Sequence, residues 1–205
     1  MNTFSKILGA VALLAAFAPA ASQAANLVAN GSFEQGSLGI GSFTGWTVVQ
    51  GDPTTFVDSS GATGPHYGQA SDGLWAAYFG STLADGGATI SQALAITAGQ
   101  HYLLSFDVAN DNGGMAASNQ LEVTIGGTQL FAATNLADQD YVHETIAFTA
   151  GADSTLSFFA FNDQSYLELD NISLTATPVP EPGNLSLLLA GLLTTGVMLR
   201  RRSRG

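Results

Sequence analysis

Between residues 26 and 177 apolar and polar side chains alternate in short runs cut by Gly, Asn and Asp. Tyr102, Leu104, Phe106 and Val108 interleave with Leu103, Ser105, Asp107 and Ala109. That period of two predicts a strand with one buried face. Ile90, Leu94 and Ile96 predict an earlier strand, turned by Ala98-Gly99-Gln100. Leu121, Val123 and Ile125 predict another, which Gly126-Gly127 folds back into Thr128 to Phe131 as a hairpin. Val142, Ile146 and Phe148 fit a further strand, interrupted by the polar Glu144. Thr155 to Phe161 is apolar on both faces, as a central strand would be, and Tyr166 to Thr175 closes the series. No window reads as an amphipathic helix. Strands at such short, regular spacing predict an all-β fold, a β-sandwich of the jelly-roll kind. The Gly-rich stretch from Gly31 to Gly73 is less regular and is expected to carry the long loops.

The last strand breaks its own alternation. Leu167 and Leu169 share one parity, Ile172 and Leu174 the other. Either a one-residue bulge falls at Asp170-Asn171, or the strand is buried on both faces.

Both ends of the chain depart from this pattern. Residues 1–24 read as a secretory signal: Lys6 marks a basic n-region, Ile7 to Ala18 is apolar, and Ser22-Gln23-Ala24 fits cleavage after Ala24. At the other end, Pro178, Pro180 and Pro182 flank Glu181, Leu185 to Leu199 carries no charge, and Arg200, Arg201, Arg202 and Arg204 follow. The apolar run is at the short limit of a membrane span. The arginines would hold its end on the cytoplasmic side, leaving the domain outside the inner membrane. The organisation is thus 1–24 signal, 25–177 β-sandwich, 178–205 sorting segment.

Composition narrows the function. The 205 residues are 46% hydrophobic and 10% charged, with a net charge of −11 and no Cys. Disulfides, thiolate metal sites and a cysteine nucleophile are therefore excluded. All five basic residues lie at the two ends, whereas residues 25–177 hold fifteen Asp or Glu and no Lys or Arg. Such a middle has no cation to neutralise phosphates, which excludes nucleic-acid binding. It also lacks a P-loop or Schiff-base lysine. Neither a G-x-S-x-G elbow nor an S-x-x-K occurs there. His66, His101 and His143 do not sit at metal-ligand spacing, and Asn110-Asp111-Asn112-Gly113-Gly114 fails the EF-hand pattern.

Val179-Pro180-Glu181-Pro182, the apolar segment and the arginine cluster together resemble the PEP-CTERM sorting signal of Gram-negative bacteria. The resemblance implies recognition by an exosortase, transient anchoring in the inner membrane, and a destination in the cell envelope or the exopolysaccharide matrix of a biofilm. Within the domain, Asn26-Leu27-Val28-Ala29-Asn30-Gly31-Ser32-Phe33-Glu34, Gly45-Trp46, Ile90-Ser91-Gln92 and Leu169-Asp170-Asn171-Ile172-Ser173-Leu174 resemble galactose-binding-like jelly rolls, including carbohydrate-binding modules of the family 4/9/22 type. This resemblance implies a structural Ca²⁺ between the N-terminal segment and the last strand, with Glu34 and Asp170 among its ligands. Ca²⁺ takes six to eight oxygens, and an acidic domain without internal cations would gain from one. The alternative is that both carboxylates accept only backbone N–H bonds in turns.

Sugar C–H faces are apolar, so aromatics flanked by hydrogen-bonding groups are the expected glycan contacts. Candidates are Trp75 and Tyr78, of opposite strand parity so that at most one faces the core, and Trp46, which in this fold is also a natural core residue. The functional expectation is a non-catalytic, exported, carbohydrate-binding protein whose partner is an extracellular polysaccharide. The competing readings are an acidic structural or adhesive matrix protein without a specific glycan, and a small glycoside hydrolase, for which no carboxylate pair stands out.

Overall fold

The computed structural model describes residues 24–35, 39–40, 43–51, 54–58, 70–115 and 118–177. The signal segment up to residue 23, the Pro180-Glu181-Pro182 motif and the arginines Arg200, Arg201 and Arg202 lie outside the described residues. Among the described residues there is no α-helix, and no helix is long and apolar enough to cross a membrane.

Among the described residues eleven strands form two antiparallel sheets. They are β1 (Gly39–Ile40), β2 (Thr47–Gln50), β3 (Thr55–Asp58), β4 (Ala76–Phe79), β5 (Ala88–Ala93), β6 (His101–Asp111), β7 (Asn119–Ile125), β8 (Thr128–Thr134), β9 (Gln139–Thr149), β10 (Thr155–Asn162) and β11 (Tyr166–Ala176). One sheet runs β1-β3-β4-β11-β6-β9, the other β2-β5-β10-β7-β8. The fold is an all-β sandwich whose core lies between the two inner faces.

The period-two pattern decides which side chains fill that core. Leu104, Phe106, Leu167, Leu169 and Leu174 from the six-stranded sheet meet Ile90, Leu121, Val123, Leu156 and Phe158 from the other, all fully buried. The strand from Thr155 is central, between β5 and β7. Three expectations shift. The strand built on Ile90 ends at Ala93, so Leu94 and Ile96 lie beyond it. The return strand of the hairpin runs on to Thr134. The Gly-rich stretch contributes β1, β2 and β3 as well as loops; these strands are only two to four residues long, too short for a periodic signal.

The last strand satisfies both alternatives drawn from its parity. Its register against β6 shifts between Asp170 and Ser173, and Asn171 takes φ +50°. Residues Leu167 to Asp170 are also buried on both faces. The bulge lets Leu167 and Leu169 on one side of it, and Ile172 and Leu174 on the other, all reach the core.

The N-terminal segment lies along β11. Leu27 N donates to Leu174 O at 2.8 Å, and Leu174 N donates to Asn26 Oδ1 at 2.9 Å. Ile172 N donates to Gly31 O at 3.0 Å. A Cβ on Gly31 would stand 2.0 Å from Ile172 O, so only glycine permits this approach. Gln92 completes the clamp. Its side chain accepts from Ala29 N and donates to Ala29 O and Gly45 O.

Candidate ligand-binding face

With Leu167 and Leu169 turned into the core, Glu168 and Asp170 must point out of the six-stranded sheet. By the same rule Phe106 and Val108 send Asp107 and Ala109 outward, and Ala77 and Phe79 send Ala76 and Tyr78 outward. Strand register then assembles rows on this outer face. Phe56 pairs with Tyr78, Tyr78 with Glu168, and Glu168 with Ala109. One step along, Asp170 pairs with Asp107, and Asp107 with His143.

The first row is aromatic. The Phe56 and Tyr78 rings stack at 5.3 Å between centroids, and Tyr166 meets both edge-on at 5.4 and 6.2 Å. Tyr78 is buried as the floor of this wall, whereas Phe56 and Tyr166 are only part-buried. Tyr141 from β9 leans over Glu168, its hydroxyl donating to Oε2 at 3.1 Å. Burial, with the charges of Glu168, Tyr78 and Asp170 around it, pushes the Tyr141 phenol above its usual range, so it stays a donor.

The second row sets two carboxylates directly opposite each other, which is repulsive without a mediator. Ser71 supplies one: its hydroxyl lies 2.6 Å from Asp107 Oδ2 and 3.2 Å from Asp170 Oδ2. A hydroxyl has one proton to give, and the shorter bond assigns it to Asp107. Asp107 also accepts from Asn171 Nδ2 at 3.0 Å and lies 2.5 Å from His143 Nδ1. Burial opposes ionisation of Asp107, but the bonds from Ser71, His143 and Asn171 outweigh it and hold the carboxyl below its usual range. Asp170 shows the reverse balance. It accepts from Asp72 N at 2.9 Å and Asn171 N at 2.7 Å, yet burial dominates and pushes it up to about 7. The pair therefore divides its protons unequally: Asp107 charged, Asp170 poised near neutrality.

The expected site residues part company here. Tyr78 and Asp170 join this face. Trp75, at the opposite parity, packs half-buried against the core. Trp46 is 8% exposed between Phe33 and Phe158, its Nε1 donating to Asn30 O at 3.2 Å, which is the placement of a core tryptophan. Glu34 stands apart from Asp170 in function: its Oε1 accepts from Leu74 N and Trp75 N, both at 2.7 Å. Glu34 and Asp170 thus tie successive parts of residues 71–75 to the sandwich through N–H groups. Among the described residues no three Asp, Glu or His side chains converge as a metal site. As described, both carboxylates serve backbone amides.

Sequence reasoning left Asp107, Glu168, Tyr141 and Tyr166 unremarked. The signal was present in alternation: an acid flanked by two core leucines, as in Leu167-Glu168-Leu169, has to face outward on a strand buried on its other side.

A family model described as HpiC1-like, HpiC1 cyclase, matches residues 24–175, and the chain belongs to that family. Among solved structures it is similar to the Stig cyclase FisC from Fischerella sp. TAU, in complex with (3Z)-3-(1-methyl-2-pyrrolidinylidene)-3H-indole. The identity is 23%, the TM-score 0.57, and the match covers 76% of this chain and 99% of that one. It is also similar to TmCBM61 in complex with β-1,4-galactotriose, with 16% identity, TM-score 0.53, and coverage of 75% and 99%. The K1 cleaved adhesin domain of Lys-gingipain from Porphyromonas gingivalis W83 matches at 18% identity and TM-score 0.50, with coverage of 72% and 96%. No curated protein matches the chain.

Proposed function

We propose that this HpiC1-like domain is an exported, non-catalytic glycan-binding module that works in the cell envelope or the extracellular polysaccharide matrix. The observation that carries the reading is the outer face of the six-stranded sheet. Part-buried Phe56, Tyr166 and Tyr141 stand over the buried carboxylates of Glu168, Asp107 and Asp170, with no basic residue other than histidine anywhere in residues 25–177. Apolar ring faces suit sugar C–H surfaces, and the Tyr141 hydroxyl and the edge of Asp107 are the polar groups a sugar hydroxyl would reach. The galactotriose bound by TmCBM61 supports this ligand class, on a shared fold.

Export rests on the terminal segments. The signal at 1–24 delivers the chain, and the PEP-CTERM-like segment at 178–205 holds it at the inner membrane until an exosortase processes it. Mass spectrometry of the secreted protein is expected to find Ala25 at its N-terminus and a C-terminus near Pro180-Glu181-Pro182. An intact chain recovered from the cytosol would contradict this.

A second reading has its own observation. Asp170, fully buried and pushed up to about 7, is a carboxylic acid able to release a proton near neutral pH. In a member of a family described by a cyclase, the same face would then protonate a small aromatic substrate.

One pair of experiments separates the readings. The full chain in detergent is run in native gels cast with galactan, xylan or glucan, and is incubated in parallel with the cyclase substrates of the family. Retardation that Phe56→Ala and Tyr166→Ala both weaken, without turnover, supports the module. Turnover that Asp170→Asn abolishes supports the acid catalyst. The absence of both retardation and turnover overturns the use of this face.

A further inference from the structure

At one end of the sandwich Asn112, Gly114, Met115 and Ser118 after β6, with Asn135, Leu136, Ala137 and Asp138 after β8, line an open basin of about 590 Å³. That volume lies within the roughly 300–1,000 Å³ of small-molecule sites. The basin shares no lining residue with the outer face of the six-stranded sheet.

Its floor is built from asparagines. Asn110, Asn112, Asn119 and Asn162 are all buried, at 0 to 3% exposure. Asn112 Oδ1 accepts from Asn110, Asn119 and Asn162 at 3.0, 3.2 and 3.3 Å. Leu136 O accepts from Asn110, Asn112 and Asn119 at 2.9 to 3.0 Å, and Leu136 N donates to Asn119 Oδ1 at 2.8 Å. A satisfied buried network of this kind is rigid. It holds the backbone of Leu136 and Ala137 in one position beneath the opening.

Above the floor the groups facing the cavity are mixed in character. Asp138 accepts from Asn112 N and, at 2.9 Å, from Gly114 N, which fixes its carboxylate at the rim. A Cβ on Gly114 would meet nothing within 4 Å, so the space over it is open. Ser118 and Asn135 are exposed and add a hydroxyl and an amide. Met115, 55% exposed, supplies an apolar surface, as do Leu136 and Ala137. A sulfur-bearing, flexible side chain left in solvent at the mouth of a polar basin is suited to cover a small apolar face.

We propose that this loop-end basin is a second binding site, for a neutral, hydroxyl-rich saccharide. Charge selects the class. Asp138 at the rim, with no Lys or Arg in residues 25–177, repels uronates, phosphates and sulfates. The carboxylate, hydroxyl and amide match a ligand that offers hydroxyl donors and acceptors in several directions. Met115 and Leu136 cover its C–H surface. The site goes beyond the outer-face reading and stands without it.

The test reads Met115 directly. The chain has three methionines, Met1, Met115 and Met198. The full chain, labelled with ¹³C-methyl methionine and held in detergent, is titrated with neutral trisaccharides of glucose, galactose, mannose and xylose, and with trigalacturonate. The Met115 signal is assigned by its loss in Met115→Leu. At least one neutral trisaccharide is expected to shift that signal alone, in a saturable manner, while trigalacturonate does not. Ser118→Ala is expected to weaken the binding by about tenfold. Tyr166→Ala, on the outer face, is expected to leave it unchanged, so that failure of one site is distinguishable from failure of the other. The proposal is overturned if no neutral trisaccharide moves the Met115 methyl, if trigalacturonate moves it equally, or if Ser118→Ala has no effect.

Discussion

The carboxyl of Asp170 carries the most informative chemistry at the residue scale. In an unfolded chain it releases its proton near the ordinary 3.8; folding moves that to about 7 because burial penalises the charge. The folded state therefore binds this proton more tightly. Its contribution to stability is complete below about pH 4 and is lost as pH rises through 7, by an amount of roughly 4 kcal/mol. Asp170→Asn, which has no charge to desolvate, is expected to flatten the fall in melting temperature between pH 4 and 8. An unchanged slope would show that Asp170 is not the group responsible. Asp107 runs the other way: its carboxyl is held low, so its contribution is present above the ordinary value and is lost as pH falls through the depressed one. Glu34 acts as an anchor for residues 74 and 75. Glu34→Gln is expected to cost about 1–2 kcal/mol in urea unfolding. EDTA tests the Ca²⁺ that the family resemblance implies at Glu34 and Asp170: a fall of several degrees in melting temperature is the result for a structural ion, and an unchanged melting temperature is the result against it.

At the scale of elements, β11 joins structure to site. Its bulge admits four aliphatic side chains to the core while Asp170 faces outward and Asn171 reaches Asp107. Asn171 sits at φ +50°, a conformation that costs an ordinary residue roughly 1–2 kcal/mol. Asn171→Ala is therefore expected to lower the melting temperature more than Asn171→Gly, which loses the side-chain bond but not the backbone fit. Equal losses would place the whole effect in the bond to Asp107. Gly31→Ala should be worse than either, since its Cβ would collide with the backbone of Ile172. This region also shows what a sequence makes legible. The clash of parity across Asp170-Asn171 is visible in the letters because both pairs of aliphatics must be buried. The long strands β6, β7, β10 and β11 are legible for the same reason: each supplies three or more inward positions. β2 and β3 supply two each and are hidden among glycines. The candidate site is half-legible. Tyr78 and Asp170 stand in recognisable motifs, but the pairing of Asp170 with Asp107, and of Tyr78 with Phe56, depends on which strands become neighbours. Residues up to 99 apart in sequence are joined there, as Ser71 is to Asp170, and no local pattern encodes that.

At the scale of the whole molecule, charge sets what can approach. The basic residues all lie in the terminal segments, so the acidic stretch from 25 to 177 attracts anionic polymers only weakly. A sandwich of this kind supplies a rigid platform, with rings beside carboxylates on one face and a basin over a locked asparagine floor at one end. The fold is shared with cyclases as well as with sugar-binding and adhesin domains, so the fold does not choose between them and the outer face must. The most direct measurement is a crystal structure of the domain grown with the neutral oligosaccharide that retards it most in affinity gels. The sugar is expected to lie along Phe56 and Tyr166 with its hydroxyls on the Tyr141 hydroxyl or the edge of Asp107. A sugar bound elsewhere with that wall bare, or a wall that takes only a small aromatic compound beside Asp170, would contradict it.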